Sequence, residues 1–213
     1  MKTDDLVSML ANGAEVVEPN ALQRRYVTAL GCGAFAAMLL MVLWLGVRPD
    51  IIAAVMLPMF WVKLAYPAVL LAGTLVAAQR LSRPGARLGS APLAMAAPVL
   101  AMWMLAAVVL LSAAPAARAE LVFGFSWNVC PFYIATLSAP AFIAALWAMK
   151  GFAPTRPALA GAACGLLAGT LGALVYALHC PEMAAPFLGI WYLLGMLIPA
   201  AVGAVMGSLL LRW

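Results

Sequence analysis

Residues 26–47 read YVTALGCGAFAAMLLMVLWLGV, without one charged side chain. The run has about the 20 residues that a helix needs to cross the hydrocarbon core of a bilayer. Arg24-Arg25 and Arg48 bracket it. A secretory signal core is shorter, at roughly 7–15 residues, and sits closer to the N-terminus. The run therefore reads as a spanning helix, and no cleavable signal peptide is expected.

Five further apolar runs follow. Ile51–Ala78 is interrupted by Pro58, Lys63 and Pro67. Its spanning part is expected at Phe60–Gln79, with Ile51–Met59 lying at the interface or folding back. The others are Ala91–Ser112, Pro131–Met149, Pro157–Leu178 and Phe187–Leu211. Two thirds of the chain is hydrophobic, 9% is charged and the mean hydropathy is +1.07. A soluble domain does not have this composition. The fold class is all-α: a polytopic membrane protein with a six-helix transmembrane bundle over residues 26–213, preceded by a short N-terminal tail over residues 1–25. The bilayer is its first partner.

Six spans place both termini on one side, and charge picks the side. With the N-terminus inside, the inner segments carry Lys2, Arg24, Arg25, Arg80, Arg83, Arg87, Lys150, Arg156 and Arg212, while the outer loops carry only Arg48 and Arg118. That bias orients the termini to the cytoplasm. The formal charge of +5 is thus an orientation signal, and no direct nucleic-acid contact is expected. Lys63 lies within a span near its outer edge, where snorkelling to the interface is the expected behaviour.

The tail is the one extended polar segment. Thr3 is a good N-cap, and Asp4 and Asp5 fall in the first turn, where the helix dipole favours acids. Leu6, Val7 and Leu10 share one helical face. A short amphipathic helix is expected from Asp4 to Ala11. Alone it is below the ~12–15 residues an isolated helix needs in water, so it requires a partner to be stable. The alternative is a frayed terminus.

Glycines recur at four-residue spacing in the last two runs, as Gly161, Gly165 and Gly169 and as Gly203 and Gly207. This pattern lets membrane helices approach closely, and packing within the bundle is the expected use.

Chemistry concentrates at two cysteines. Cys130 precedes Pro131 and Cys180 precedes Pro181, each at the outer edge of a span. On an oxidising face such thiols tend to pair. A static disulfide, a reactive or sensing pair and two unlinked packing residues all remain open. His179 and Glu182 flank Cys180, and with the two sulfurs they compose a soft-metal donor set. Cys32 and Cys164 lie in apolar surroundings and are assigned to packing. No embedded Asp or Glu suggests a cation-coupled transporter, and no CxxC supports a thiol-disulfide oxidoreductase. One histidine cannot furnish a conventional hydrolytic triad with an evident serine and acid. No enzyme activity and no cofactor is expected. Transport and thiol oxidoreduction remain the competing classes.

The opening Met1-Lys2-Thr3-Asp4-Asp5-Leu6-Val7, the six spans, Arg83-Pro84-Gly85, Cys130-Pro131, Thr155-Arg156-Pro157 and His179-Cys180-Pro181-Glu182 followed by Trp191-Tyr192 resemble the NrsF-type family. These are bacterial inner-membrane anti-sigma factors, negative regulators of sigma F. The resemblance covers nearly the whole chain. It implies that the cytoplasmic N-terminal segment holds an extracytoplasmic-function sigma factor. It also implies that Cys130 and Cys180 sense heavy-metal or oxidant stress from the outer face, with His179 and Glu182 in support. The helix face then makes Thr3, Asp4, Asp5, Leu6, Val7 and Leu10 the sigma-facing candidates.

Overall fold

The structure, a computed structural model, describes residues 21–211 apart from 84 and 153, together with residues 3, 5, 7 and 8. Every regular element among the described residues is helical. In chain order they are α1 (Ala21–Trp44), α2 (Ile51–Val55), α3 (Pro58–Leu81), α4 (Ala91–Ser112), α5 (Pro115–Phe123), α6 (Cys130–Lys150), α7 (Pro157–Tyr176) and α8 (Ala185–Leu210). Six of these are long and apolar enough to cross a membrane: α1, α3, α4, α6, α7 and α8. The protein is a multi-pass helical membrane protein.

Proline writes the helix starts. One proline occupies the first or second position of each helix from α3 to α8, where its missing N–H is one the helix leaves unpaired anyway. Pro58, expected as an interruption, thus opens α3. Pro67, Pro98, Pro140 and Pro199 lie inside spans, where neighbouring helices can satisfy the freed carbonyls. The Ile51–Met59 stretch resolves into the short helix α2 and a turn, with Ile52 and Met56 exposed.

The bundle is arranged around α7. In its most apolar window 72% of residues are buried, against 11% for α4. The former is the axis of the bundle and the latter a peripheral helix with a lipid-facing surface. Glycine spacing places α7 against α8. A Cβ on Gly161 would overlap the carbonyl oxygen of Gly203, and one on Gly165 the carbonyl oxygen of Pro199. The four-residue glycine repeats therefore serve packing within the bundle, as expected.

The six spans present their ends at two poles. At one, the Tyr26 hydroxyl of α1 donates to Ser82 Oγ (2.8 Å), and Met149 Sδ lies 3.5 Å from the same tyrosine oxygen. Ser82 in turn donates to the Ala78 carbonyl (2.9 Å). This pole carries Arg24, Arg25, Arg80, Arg83, Arg87, Lys150 and Arg156. The other carries Arg48, Asp50, Cys130, His179, Cys180 and Glu182. That is the grouping which alternating spans require.

Two packing assignments need distinguishing. Cys164 is buried on α7 with its Sγ 3.6 Å from the Ala145 carbonyl, a packing residue. Cys32 is exposed on α1, so its assignment to the interior is corrected. Residues 29, 33 and 37 of α1 face the bundle instead, and a Cβ at Gly33 would meet the backbone of Ala141.

Candidate functional site

The cysteine pole is built where α7 ends. Hydrogen bonds from His179 and Cys180 to the Tyr176 carbonyl close the last turn (2.9 and 3.0 Å). The chain then crosses residues 181–184 and enters α8, whose Leu188–Tyr192 segment forms a π-helical turn. Such turns are uncommon and recur at functional sites. This one carries Trp191 and Tyr192.

Cys130, the first residue of α6, and Cys180 are both fully buried, and all four cysteines are free thiols. Both Cys130 and Cys180 face the Tyr176 hydroxyl, and Cys180 also faces Tyr192. The Tyr176 and Tyr192 rings lie 5.8 Å apart. The structure thus brings the two predicted cysteines into one aromatic chamber, unlinked. Tyr192 is completely buried and its hydroxyl has no hydrogen-bond partner among the described residues.

The chamber holds a cation that sequence reading misplaced. Lys63, expected to snorkel, is completely buried. Its ammonium donates to the carbonyl oxygens of Cys180 (2.6 Å) and Glu182 (2.9 Å) and sits 5.6 Å from the Tyr192 ring. Snorkelling fails because the 180–182 backbone folds over the helix end and offers acceptors closer than water. Arg48 adds a second donor to the Cys180 carbonyl through Nη1 (3.2 Å), and its backbone N–H donates to the Leu178 carbonyl (3.1 Å). The same guanidinium grips Asp50 with two bonds, Nε to Oδ1 at 2.7 Å and Nη2 to Oδ2 at 2.6 Å. That grip holds the Asp50 carboxyl below the usual carboxylate range and raises Arg48 further above its own.

His179 and Glu182 flank the thiols but are engaged elsewhere. The Gly46 carbonyl is an acceptor only, so His179 Nδ1 carries the proton and donates to it at 2.9 Å. Glu182 Oε1 accepts the Phe125 N–H at 2.8 Å. Among the described residues no group of three or more His, Cys, Asp or Glu side chains converges as a metal centre. The Glu182 carboxylate and the His179 imidazole instead fasten the 178–184 turn to the loops before α6 and α2. Around them Phe123, Trp127 and Trp191 form an aromatic cap, with Trp127 and Trp191 centroids 5.3 Å apart.

Ahead of α1, Thr3, Asp5, Val7 and Ser8 have helical backbone and exposed side chains. Val7 is 58% exposed. The candidates Asp4, Leu6 and Leu10 lie outside the described residues.

Sequence reading missed Lys63, Arg48, Tyr176 and Tyr192 as parts of one site. A charge inside an apolar run was the available signal for Lys63. The tyrosines gave none, because aromatic residues at helical spacing read as ordinary core.

The chain is thus a six-span helical membrane protein with a polar segment ahead of α1 and two buried thiols where α6 begins and α7 ends. The chain belongs to the NrsF family, described as negative regulators of sigma F, whose model matches residues 10–213. It is 55% identical over 213 residues to the probable anti-sigma-F factor NrsF of Azospira oryzae, covering all of both chains. It is 41% identical over 215 residues to the anti-sigma-F factor NrsF of Caulobacter vibrioides, again covering all of both. No solved structure matches the chain.

Proposed function

We propose that this chain is an inner-membrane anti-sigma factor. Residues 1–25 form its cytoplasmic sigma-binding segment, and residues 26–213 anchor it and relay a signal. The partner is an extracytoplasmic-function sigma factor held away from RNA polymerase. Full-length similarity to two proteins named as anti-sigma-F factors carries this reading. The exposure of Thr3, Asp5 and Val7 is compatible with Thr3, Asp4, Asp5, Leu6, Val7 and Leu10 as the contact residues.

Release follows from the periplasmic thiols. An oxidant takes two electrons from Cys130 and Cys180, their two protons leave, and a disulfide forms. A thiophilic metal ion instead displaces the same protons and binds both sulfurs. Either event reshapes the chamber that Lys63 and Arg48 fasten to α3 and to the end of α1. The displacement reaches the opposite pole through α1, α3, α6 and α7. A tenfold loss of sigma affinity requires about 1.4 kcal/mol of differential binding between the two states.

The test is a pull-down of cytoplasmic proteins on the full chain in detergent, beside a version lacking residues 1–12. A sigma factor retained only by the full chain supports the reading. Equal retention by both, or none by either, sinks it, and proteoliposome flux and thiol-oxidase assays would then decide between the competing classes.

A further inference from the structure

The pole opposite the thiols holds a polar cavity of about 350 Å³. It lies between the α3–α4 and α6–α7 loops. Arg83, Arg87 and Arg156 line it together with Thr155, Leu81 and Leu88. We propose that it binds the headgroup of an anionic phospholipid from the adjoining leaflet.

Three arguments support this occupant. The first is charge. Outside residues 1–20, the only acids in the chain are Asp50, Glu120 and Glu182. Asp50 is held by Arg48 and Glu182 by the Phe125 N–H, both at the far pole. Three arginines thus line one cavity without a carboxylate from residues 21–213 beside them. Guanidinium groups bind phosphate through paired, charge-assisted hydrogen bonds.

The second is depth. The cavity meets the last residue of α3, Leu81, and the loop residues just before α4 and α7 begin. Three span ends therefore border it, which sets it at the depth of the headgroup layer. Basic pockets between helices at this depth suit anionic headgroups.

The third is size and rigidity. The volume admits a glycerophosphate headgroup but not a folded protein segment. The loop is held open by Arg80, whose Nη1 donates to the Leu88 carbonyl, and Gly85 bends it with φ +73°. Arg80 is thereby engaged, which leaves the other three arginines for the ligand.

The full-length protein in detergent is titrated with dihexanoyl phosphatidylglycerol, with dihexanoyl phosphatidylcholine and inorganic phosphate in parallel, and binding is read by native mass spectrometry. A peptide of residues 1–20 is added as competitor. The expected result is one phosphatidylglycerol per chain, weakened by about tenfold in Arg83→Gln/Arg87→Gln, with phosphatidylcholine weaker throughout. Both positions are exposed loop residues, so the bundle contacts stay in place. Thr155→Val, which keeps all three charges, should weaken binding by roughly threefold. Equal binding of both lipids, phosphate binding as tightly as the lipid, or no effect of either variant overturns the proposal. Displacement of the lipid by the peptide at lower concentration overturns it too, in favour of the chain's own acidic segment as occupant.

Discussion

Lys63 has the largest energetic consequences of any single residue at the thiol pole. A buried ammonium must be hydrogen-bonded, and here backbone carbonyls do that without a carboxylate. Lys63→Ala removes the stem from a closed core and leaves the Glu182 carbonyl without its donor. The expected loss is about 2–4 kcal/mol of stability, read by thermal unfolding in detergent. An unchanged midpoint would show that Arg48 with the His179 and Glu182 side chains holds the turn without Lys63. Asp50 makes a pH-dependent contribution. Arg48 depresses its folded pKa, so the unfolded chain takes up a proton first as pH falls. The contribution is complete above the ordinary carboxylate range near pH 4 and is lost as pH falls through the lower folded value. Asp50→Asn should remove the acid sensitivity of the unfolding midpoint in that window and leave the midpoint's pH dependence elsewhere as before.

At the scale of elements, α7 and α8 depend on missing side chains. A Cβ at Gly165 would overlap the Pro199 carbonyl oxygen, and two rigid backbones have no flexible atom to move aside. Gly165→Ala should destabilise the bundle by about 1–3 kcal/mol through overpacking. Gly31 on α1 is the control, because open space surrounds its would-be Cβ. Gly31→Ala should be neutral or stabilising by up to about 1 kcal/mol from helix propensity alone. If both substitutions behave alike, the close approach of α7 and α8 is not what holds the bundle. The π turn at Leu188–Tyr192 belongs to this scale as well. It sets Trp191 Nε1 2.8 Å from the Val122 carbonyl and leaves the Gly189 carbonyl to accept Trp103 Nε1 at 2.9 Å. α8 is thus tied to both α5 and α4.

Across the whole molecule, the two poles are linked by rigid spans, so an event at the thiols has helices through which to act. Cys130→Ser/Cys180→Ser should abolish the response to oxidant or thiophilic metal while repression persists, measured with a sigma-dependent reporter in cells. A full response in the double variant removes these thiols from the mechanism. Both thiols are buried, so a reagent reaches them only when the 178–184 turn opens. Lys63→Ala should therefore also raise the rate of thiol alkylation in the full-length protein, and an unaltered rate would place the opening elsewhere.

The sequence alone determined the six spans, their alternation between two poles, the glycine contact of the last two helices and the two cysteines as a pair at one pole. Each of these follows from local quantities: the length of an apolar run, the spacing of small residues, the position of a residue at a helix edge. What surrounds the thiols was decided only by the tertiary structure. Lys63 reads as a snorkelling residue until the turn after α7 folds over it, and His179 and Glu182 read as metal donors until distant loops engage them. Cys32 and Cys164 look alike in sequence, yet one faces outward and the other is enclosed, because helix rotation is set by neighbours. Burial and hydrogen-bond partners depend on residues more than a hundred positions apart, as with Lys63 and Cys180, and no local pattern encodes them.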